Sequence, residues 1–309
     1  MSPTSPPPAS PSSLPVPPLP LPSLAEADIR VVATDLDGTL LDAAGQVSSR
    51  AAQAVRAARA AGIHVVPVTG RPPQALWHLA RAGGMGPFGV CSNGAAVVDL
   101  EGSCVVETDP IAGEVAARLV DQTRDAFPGV ILAIDDLDHF RYETGFLPDG
   151  ADWDEQLTEV TDIRHHAVHG CVKLIARSPG IDAEPLMTRL QEHLGPHAQV
   201  TTSGLDWVEI AGAGVSKAGA LARVCDRLGI GHHQVVAIGD NYNDLSVLAW
   251  AGYSMAPANA VPAVLELVDR VLAANVDDGV AILLEELVSA RLAGGPGRRT
   301  RPVPPCRSE

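Results

Sequence analysis

The chain has 309 residues, 46% of them hydrophobic but only 4% aromatic, and a formal net charge of −15. That length suffices for two domains, with cores built from Ala, Val, Leu and Ile rather than large rings. The acidic balance argues against nucleic-acid or anionic-membrane partners, although a metal, a lysine and backbone N–H groups still allow local phosphate binding. The five cysteines (Cys91, Cys104, Cys171, Cys225, Cys306) are scattered, odd in number and without a C-x-x-C, which predicts a reducing compartment and no disulfide framework. No apolar run has the length of a membrane span, and no basic residue precedes Arg30, so neither a span nor a signal peptide is expected. The expectation is a soluble cytoplasmic protein.

In chain order, residues 1–27 carry ten prolines in their first 22 positions and predict a disordered, partly polyproline-like arm. A β-branched strand from Ile29 to Thr34 follows and runs into Asp35-Leu36-Asp37-Gly38-Thr39-Leu40-Leu41. Ser48 caps a helix through Val55 to Ala61, closed by Gly62. A strand His64–Thr69 leads to Gly70-Arg71-Pro72-Pro73, whose prolines suit the first turn of a helix ending near Gly83-Gly84. Phe88–Ser92 is a third strand, stopped at Asn93-Gly94. Strands separated by such helices mean right-handed βαβ units and a parallel sheet. From about Val105 the rhythm changes. A helix (Ile111–Phe127), a hairpin-like pair (Val130–Ile134, His139–Tyr142), a polar stretch, a strand (Cys171–Ala176), a helix (Ala183–Leu194) and a strand (Ala198–Thr202) predict an α+β module. The first rhythm resumes with a strand Trp207–Ala211, a helix Val215–Leu228 and a buried strand Gln234–Ile238 ending in Gly239-Asp240. Helices at Asp244–Ala251, Val261–Val268 and Val280–Leu292 alternate with strands Tyr253–Ala256 and Arg270–Ala273. The fold class is α/β: a Rossmann-like parallel-sheet core (28–105 and 204–292) with an inserted α+β cap (106–203). A Gly/Pro-rich tail (293–309) ends the chain.

Four polar signals fall where these elements meet one sheet edge: Asp35/Asp37, Thr69-Gly70-Arg71, Lys217, and Asp240 with Asn241, Asn243 and Asp244. Each has an ordinary explanation alone. Asp37-Gly38 could be a hairpin turn, Thr69 and Asp244 helix caps, and Lys217 a solvated lysine. Lys217, however, lies in the first turn of its helix, where a cation opposes the helix dipole unless an anion sits nearby. The Gly212–Gly214 run fits neither a dinucleotide fingerprint nor a phosphate-binding P-loop. Taken together, acids from two strands can hold a hard cation such as Mg²⁺. The ion, Lys217, Thr69 and turn N–H groups could then neutralise a phosphoryl group, leaving one carboxylate to attack phosphorus and another to move a proton.

The ordered motifs D-L-D-G-T-L-L, T-G-R, G-V-S-K-A-G-A-L and G-D-N-Y-N-D resemble those of the haloacid dehalogenase superfamily. With Ser92-Asn93-Gly94-Ala95 and Asp278-Gly279-Val280-Ala281 they are similar to its Cof-type phosphatase branch, which carries a type IIB cap. The resemblance implies an Mg²⁺-dependent phosphatase acting on small phosphorylated metabolites, sugar phosphates in particular, through an aspartyl-phosphate. Asp35 would be the nucleophile and a metal ligand. Asp37 would be the general acid/base, and its carbonyl a ligand. Thr69 and Lys217 complete the catalytic set, with Lys217 orienting Asp35 and the phosphate. Leu36, Gly70, Arg71 and Asn243 would contact substrate or phosphate, while Asp240, Asn241 and Asp244 would surround the metal. The cap would close over the site, exclude water and select substrate. One departure is visible: where such proteins often read Met-Gly-Asn-Ala, this chain has Met255-Ala256-Pro257-Ala258-Asn259-Ala260.

Other signals have simpler readings. His165, His166 and His169 suit a solvated cap surface better than a metal site. Asp135, Asp136 and Asp138 lack the glycine and glutamate of a calcium loop and read as turn chemistry. Lys173 and Arg141 could contact substrate or occupy a half-exposed strand face. The rival functions are a phosphomutase, which keeps the phosphoryl group, and a catalytically idle sugar-phosphate sensor or receiver-like module. Oligomeric state stays open.

Overall fold

The computed structural model describes residues 27–147 and 157–293. The expected proline-rich arm and C-terminal tail lie outside these residues apart from their inner ends.

In chain order the structure forms β1 (Val31–Thr34), α1 (Ser49–Ala60), β2 (His64–Pro67), α2 (Pro73–Gly83), β3 (Phe88–Cys91), β4 (Ala96–Asp99) and β5 (Cys104–Thr108). Next come α3 (Gly113–Ala126), β6 (Ile131–Asp135), β7 (Phe140–Glu143), β8 (Leu157–Val160), α4 (Arg164–Ala167), β9 (Lys173–Arg177), α5 (Ala183–Leu194), β10 (Ala198–Thr201) and β11 (Val208–Gly212). The chain closes with α6 (Lys217–Leu228), β12 (Val235–Ile238), α7 (Leu245–Trp250), β13 (Tyr253–Pro257), α8 (Pro262–Leu265), β14 (Arg270–Leu272) and α9 (Gly279–Ala293).

The core sheet is parallel, ordered β14-β13-β12-β1-β2, with β1 central between β12 and β2. β1, β12 and β13 are buried on both faces because successive side chains point to opposite sides, each covered by helices. Val32, Val65 and Val236 pack under α1, α2 and α9. Val31, Ala33, Val66, Val235 and Ala237 pack under α6, α7 and α8. Ser48 caps α1 by accepting from Ala51 N–H at 3.0 Å, and Gly84 closes α2 in the left-handed region at φ +74°.

The cap is a six-stranded sheet, β10-β11-β9-β6-β7-β8, antiparallel except for β7–β8. One face carries Leu132, Ile134, Leu174, Ala176, Val208 and Ile210 against α3 and α5. The other carries Phe140, Phe146, Ile175 and Trp207.

Three expectations need correction. The strand expected at Trp207–Ala211 was assigned to the core, but β11 pairs with β10 and β9 in the cap sheet, which therefore runs through Gly212. The short link 202–207 favours an antiparallel return beside β10, and apolar alternation cannot distinguish the two sheets. The strand at Phe88–Ser92 was expected in the parallel sheet. It meets that sheet at a parallel Val68–Val90 bridge, and pairs antiparallel with β4, which pairs with β5. Ser92, Asn93 and Gly94 all have positive φ (47°, 56° and 103°) and reverse the chain there. The polar stretch before Cys171 also holds β8 and the short α4, whose composition gave no sign of strand or helix.

Candidate active site

Asp35 follows directly on β1 and its N–H donates to Ile238 O at 2.8 Å, so the carboxylate leaves the sheet at the carboxyl edge between β1 and β12. The following loop makes one wide turn closed by Leu41 N–H to Leu36 O at 2.9 Å, with Gly38 at φ +72°. A Cβ on Gly38 would stand 2.5 Å from Asp240 Oδ2, so glycine serves both the backbone sign and the approach of Asp240.

The buried Lys217 enters from the first turn of α6 and donates to Asp35 Oδ1 at 2.7 Å and Asp244 Oδ1 at 2.6 Å. The anions that offset its unfavourable place in the helix dipole are thus these two carboxylates. Asp244 Oδ2 accepts from the N–H groups of Asp240 and Asn241 at 3.0 and 3.1 Å. Asp240 Oδ1 accepts from Thr39 Oγ1 at 2.6 Å. Ligand oxygens of Asp35, Asp240 and Asp244 lie within 4.8 Å of one another.

Burial pushes the Asp35 carboxyl well up, Lys217 opposes the rise, and Asp244 and Asp240 add to it. Asp240 is pushed up to about 6, first by burial and then by Asp244. Burial disfavours charge on Lys217, but Asp244 and Asp35 more than offset it and its affinity for the proton rises. Three carboxylates against one ammonium leave a formal charge of −2 in an enclosed space. A hard divalent ion would cancel it, and the donors are all oxygens, so the set fits Mg²⁺. Among the described residues Asp35 Oδ2 and Asp240 Oδ2 carry no hydrogen bond, whereas both oxygens of Asp244 are engaged. Asp244 therefore serves the site by holding Lys217 and the 240–241 turn.

The remaining expected residues are distributed differently. The Asp37 carboxylate is outside the three-aspartate group. Arg71 grips it in a two-pronged pair, Nε to Oδ2 at 2.7 Å and Nη2 to Oδ1 at 2.6 Å, on the half-exposed rim. Arg71 thus faces the Asp37 carboxylate rather than an open site. Thr69 is buried; its Oγ1 accepts from Arg71 N–H at 3.1 Å and keeps its own proton to donate. Leu36 buries its side chain wholly in the core, so only its main chain is available to a ligand. Asn241 Oδ1 accepts from Tyr242 N–H, which makes this side chain a turn cap. Gly70 presents its carbonyl to Lys173 Nζ at 3.0 Å, and Asn243 Nδ2 donates to Asn93 Oδ1 at 3.1 Å.

Sequence reasoning missed Thr39, Asn93 and Glu209 as parts of this site. Thr39 and Asn93 sit inside the quoted motifs, so their positions were visible though their partners were not. Glu209, on a strand assigned to the wrong sheet, gave no local signal. Lys173 is buried against Glu209 at 2.7 Å, not half-exposed. In the departing loop, Asn259 Nδ2 donates to Gly38 O at 2.8 Å and Val261 N–H to Asp240 O at 2.9 Å, so the loop still grips both motifs. The aspartates 135 and 136 make turn bonds to Leu137, Asp138 and His139 N–H, and Arg141 pairs with Asp136. The histidines around α4 form no metal-sized group among the described residues. Among those residues no helix is long and apolar enough to cross a membrane.

A family model for haloacid dehalogenase-like hydrolases matches residues 32–284. Pyridoxal phosphate phosphatase YbhA of Escherichia coli K12 is 29% identical over 268 residues, covering 82% of this chain and 96% of its own. The 5-amino-6-(5-phospho-D-ribitylamino)uracil phosphatase YcsE of Bacillus subtilis 168 is 28% identical over 267 residues, covering 83% and 94%. The solved structure of the HAD subclass IIB sugar phosphatase BT4131 superposes with a TM-score of 0.70 at 19% identity, covering 83% of this chain and 98% of that one, a likeness of fold.

Proposed function

The chain belongs to the haloacid dehalogenase-like hydrolases, in their Cof-type branch, and is a phosphoric monoester hydrolase; from that premise we propose that it cleaves small phosphorylated metabolites, sugar phosphates among them, with Mg²⁺ and an aspartyl-phosphate on Asp35. The observation that carries the reading is the Asp35–Lys217–Asp244 chain beside Asp240: a buried nucleophile with one oxygen tied to a cation and the other unengaged.

In this reading Asp35 Oδ2 attacks phosphorus, and the bond from phosphorus to the ester oxygen breaks. The leaving alkoxide takes a proton from Asp37. Water then attacks phosphorus, Asp37 accepts its proton, and the Asp35 Oδ2–phosphorus bond breaks to release inorganic phosphate. Lys217 holds the Asp35 oxygens in line, and Thr69 donates its hydroxyl proton to a phosphoryl oxygen. Bound at Asp35 and Asp240, Mg²⁺ would supply the charge that neutralises the phosphoryl oxygens. Asp37 must exchange its Arg71 partner for the substrate oxygen, and Arg71 is then available to the substrate. The cap supplies enclosure, and the three buried cysteines Cys91, Cys171 and Cys225 accord with a reducing, cytoplasmic setting.

The test is p-nitrophenyl phosphate hydrolysis by the wild type and Asp35→Asn, followed by phosphate release from a panel of sugar and cofactor phosphates. Loss of at least about 10³-fold in turnover is expected, because the substituted group no longer forms the covalent intermediate. Undiminished turnover by Asp35→Asn, or turnover unaffected by chelating divalent ions, would refute the mechanism. Transfer to a second sugar hydroxyl without phosphate release would favour a phosphomutase.

A further inference from the structure

A second polar chain crosses from the cap into the phosphate-facing loops. Lys173 on β9 donates to Glu209 Oε1 on β11 at 2.7 Å and to the Gly70 carbonyl at 3.0 Å. Glu209 Oε2 accepts from Asn93 Nδ2 at 2.9 Å, and Asn93 Oδ1 accepts from Asn243 Nδ2 at 3.1 Å. Lys173, Glu209, Asn93 and Asn243 are only 4–7% exposed. Asn243 Oδ1 is buried without a hydrogen-bond partner among the described residues.

The chemistry of this chain runs in one direction. An ionised carboxylate only accepts, so Asn93 must turn its NH₂ to Glu209. Its carbonyl then faces Asn243, which must in turn present NH₂. The side-chain groups of Asn243 left over are one amide N–H and the unpartnered Oδ1. Gly70 lies beside the same relay: a Cβ there would meet Asn93 Oδ1 at 3.1 Å. Asn93 is held at φ +56°, a conformation that needs surrounding structure to maintain it. A buried ion pair is a poor means of stabilising a fold compared with an apolar pair of equal volume. It is a good means of imposing one orientation on an amide that could otherwise face either way.

We propose that the buried Lys173–Glu209 pair is a positioning element supplied by the cap: it sets the amide of Asn243 through Asn93 and the Thr69–Arg71 turn through the Gly70 carbonyl, preparing the core to hold a phosphoryl group. The inference rests on the phosphatase reading and extends it to two residues that touch neither phosphorus nor the acid cluster. It also ties phosphate binding to the seating of the cap, because Lys173 and Glu209 lie on one domain and Gly70, Asn93 and Asn243 on the other.

The test is Glu209→Gln in the full chain, read by the dissociation constant of inorganic phosphate in the presence of Mg²⁺, alongside the melting temperature. Glutamine keeps its carbonyl for Lys173 and so offers NH₂ to Asn93, which inverts the Asn93 and Asn243 amides. Phosphate binding weakens about tenfold or more, corresponding to about 1.4 kcal/mol, and KM for p-nitrophenyl phosphate rises with it. A double variant, Lys173→Met with Glu209→Met, removes the pair without leaving a buried charge and serves if the single variant does not fold; it shows the same weakening. Unchanged phosphate affinity in a folded variant overturns the proposal, as does a loss fully accounted for by the unfolded fraction. If the wild type binds phosphate but hydrolyses no ester, the phosphatase reading fails while the relay still stands or falls on binding.

Discussion

Substituting Lys217 by methionine separates the electrostatic role of this side chain from its packing. The ammonium is enclosed and lies 2.7 Å from Asp35 and 2.6 Å from Asp244, so its loss leaves buried carboxylates unpaired. Breaking a buried pair from one side costs about 3–5 kcal/mol. For a protein of this size each kcal/mol lowers the melting temperature by about 2–4 °C, which puts the expected fall at roughly 6–20 °C at pH 8. Acid relieves the defect, because Asp35, already raised by burial, takes up a proton in place of the missing cation. The melting-temperature gap between Lys217→Met and wild type, measured by calorimetry without divalent ions, should therefore shrink markedly from pH 8 to pH 5. Mg²⁺ should stabilise the variant more than the wild type while turnover stays depressed by about 10²-fold or more. A gap of the same size at both pH values would mean that Lys217 contributes packing alone, and the charge argument for the site would fall.

Asp240 contributes to the pH response of the metal-free protein, alongside Asp35. Its folded value of about 6 lies above the ordinary 3.8, so its contribution to stability is fully present below about pH 4 and is lost as pH rises through 6. The stabilisation by Mg²⁺, which competes with that proton, should accordingly grow over the same window, reaching about 2.7 kcal/mol at a hundredfold excess over its dissociation constant. Thermal scans with and without Mg²⁺ across pH 4.5–8 test this, and a pH-independent increment would contradict it. Gly38→Ala combines an unfavourable φ of +72° with a contact to Asp240 Oδ2 at 2.5 Å. It should cost about 1–3 kcal/mol and weaken Mg²⁺ binding in a calorimetric titration. Arg71→Ala should change the melting temperature little, because its pair with Asp37 lies on the half-exposed rim and such pairs contribute about 0–1 kcal/mol. A large loss of stability would show that the pair has a structural role beyond the rim.

Local pattern was enough to find the edge of the core sheet. β1 and β12 are short β-branched runs buried on both faces, and the acids that end them are read directly from the residues that follow. Ser48 marks the start of α1 for the same local reason, since a cap bonds within its own first turn; the Ser216 cap of α6 is seen only in the structure. That Lys217 in such a turn needs an anion was also evident, because the helix dipole belongs to every helix. What tertiary structure alone decided is which charges meet. The sheet that receives β11, the grip of Arg71 on Asp37, and the burial of Lys173 against Glu209 depend on residues far apart along the chain. A strand's apolar alternation states that it has a buried face but not against which neighbour. A lone charged side chain states its sign but not the partner that makes its burial tolerable.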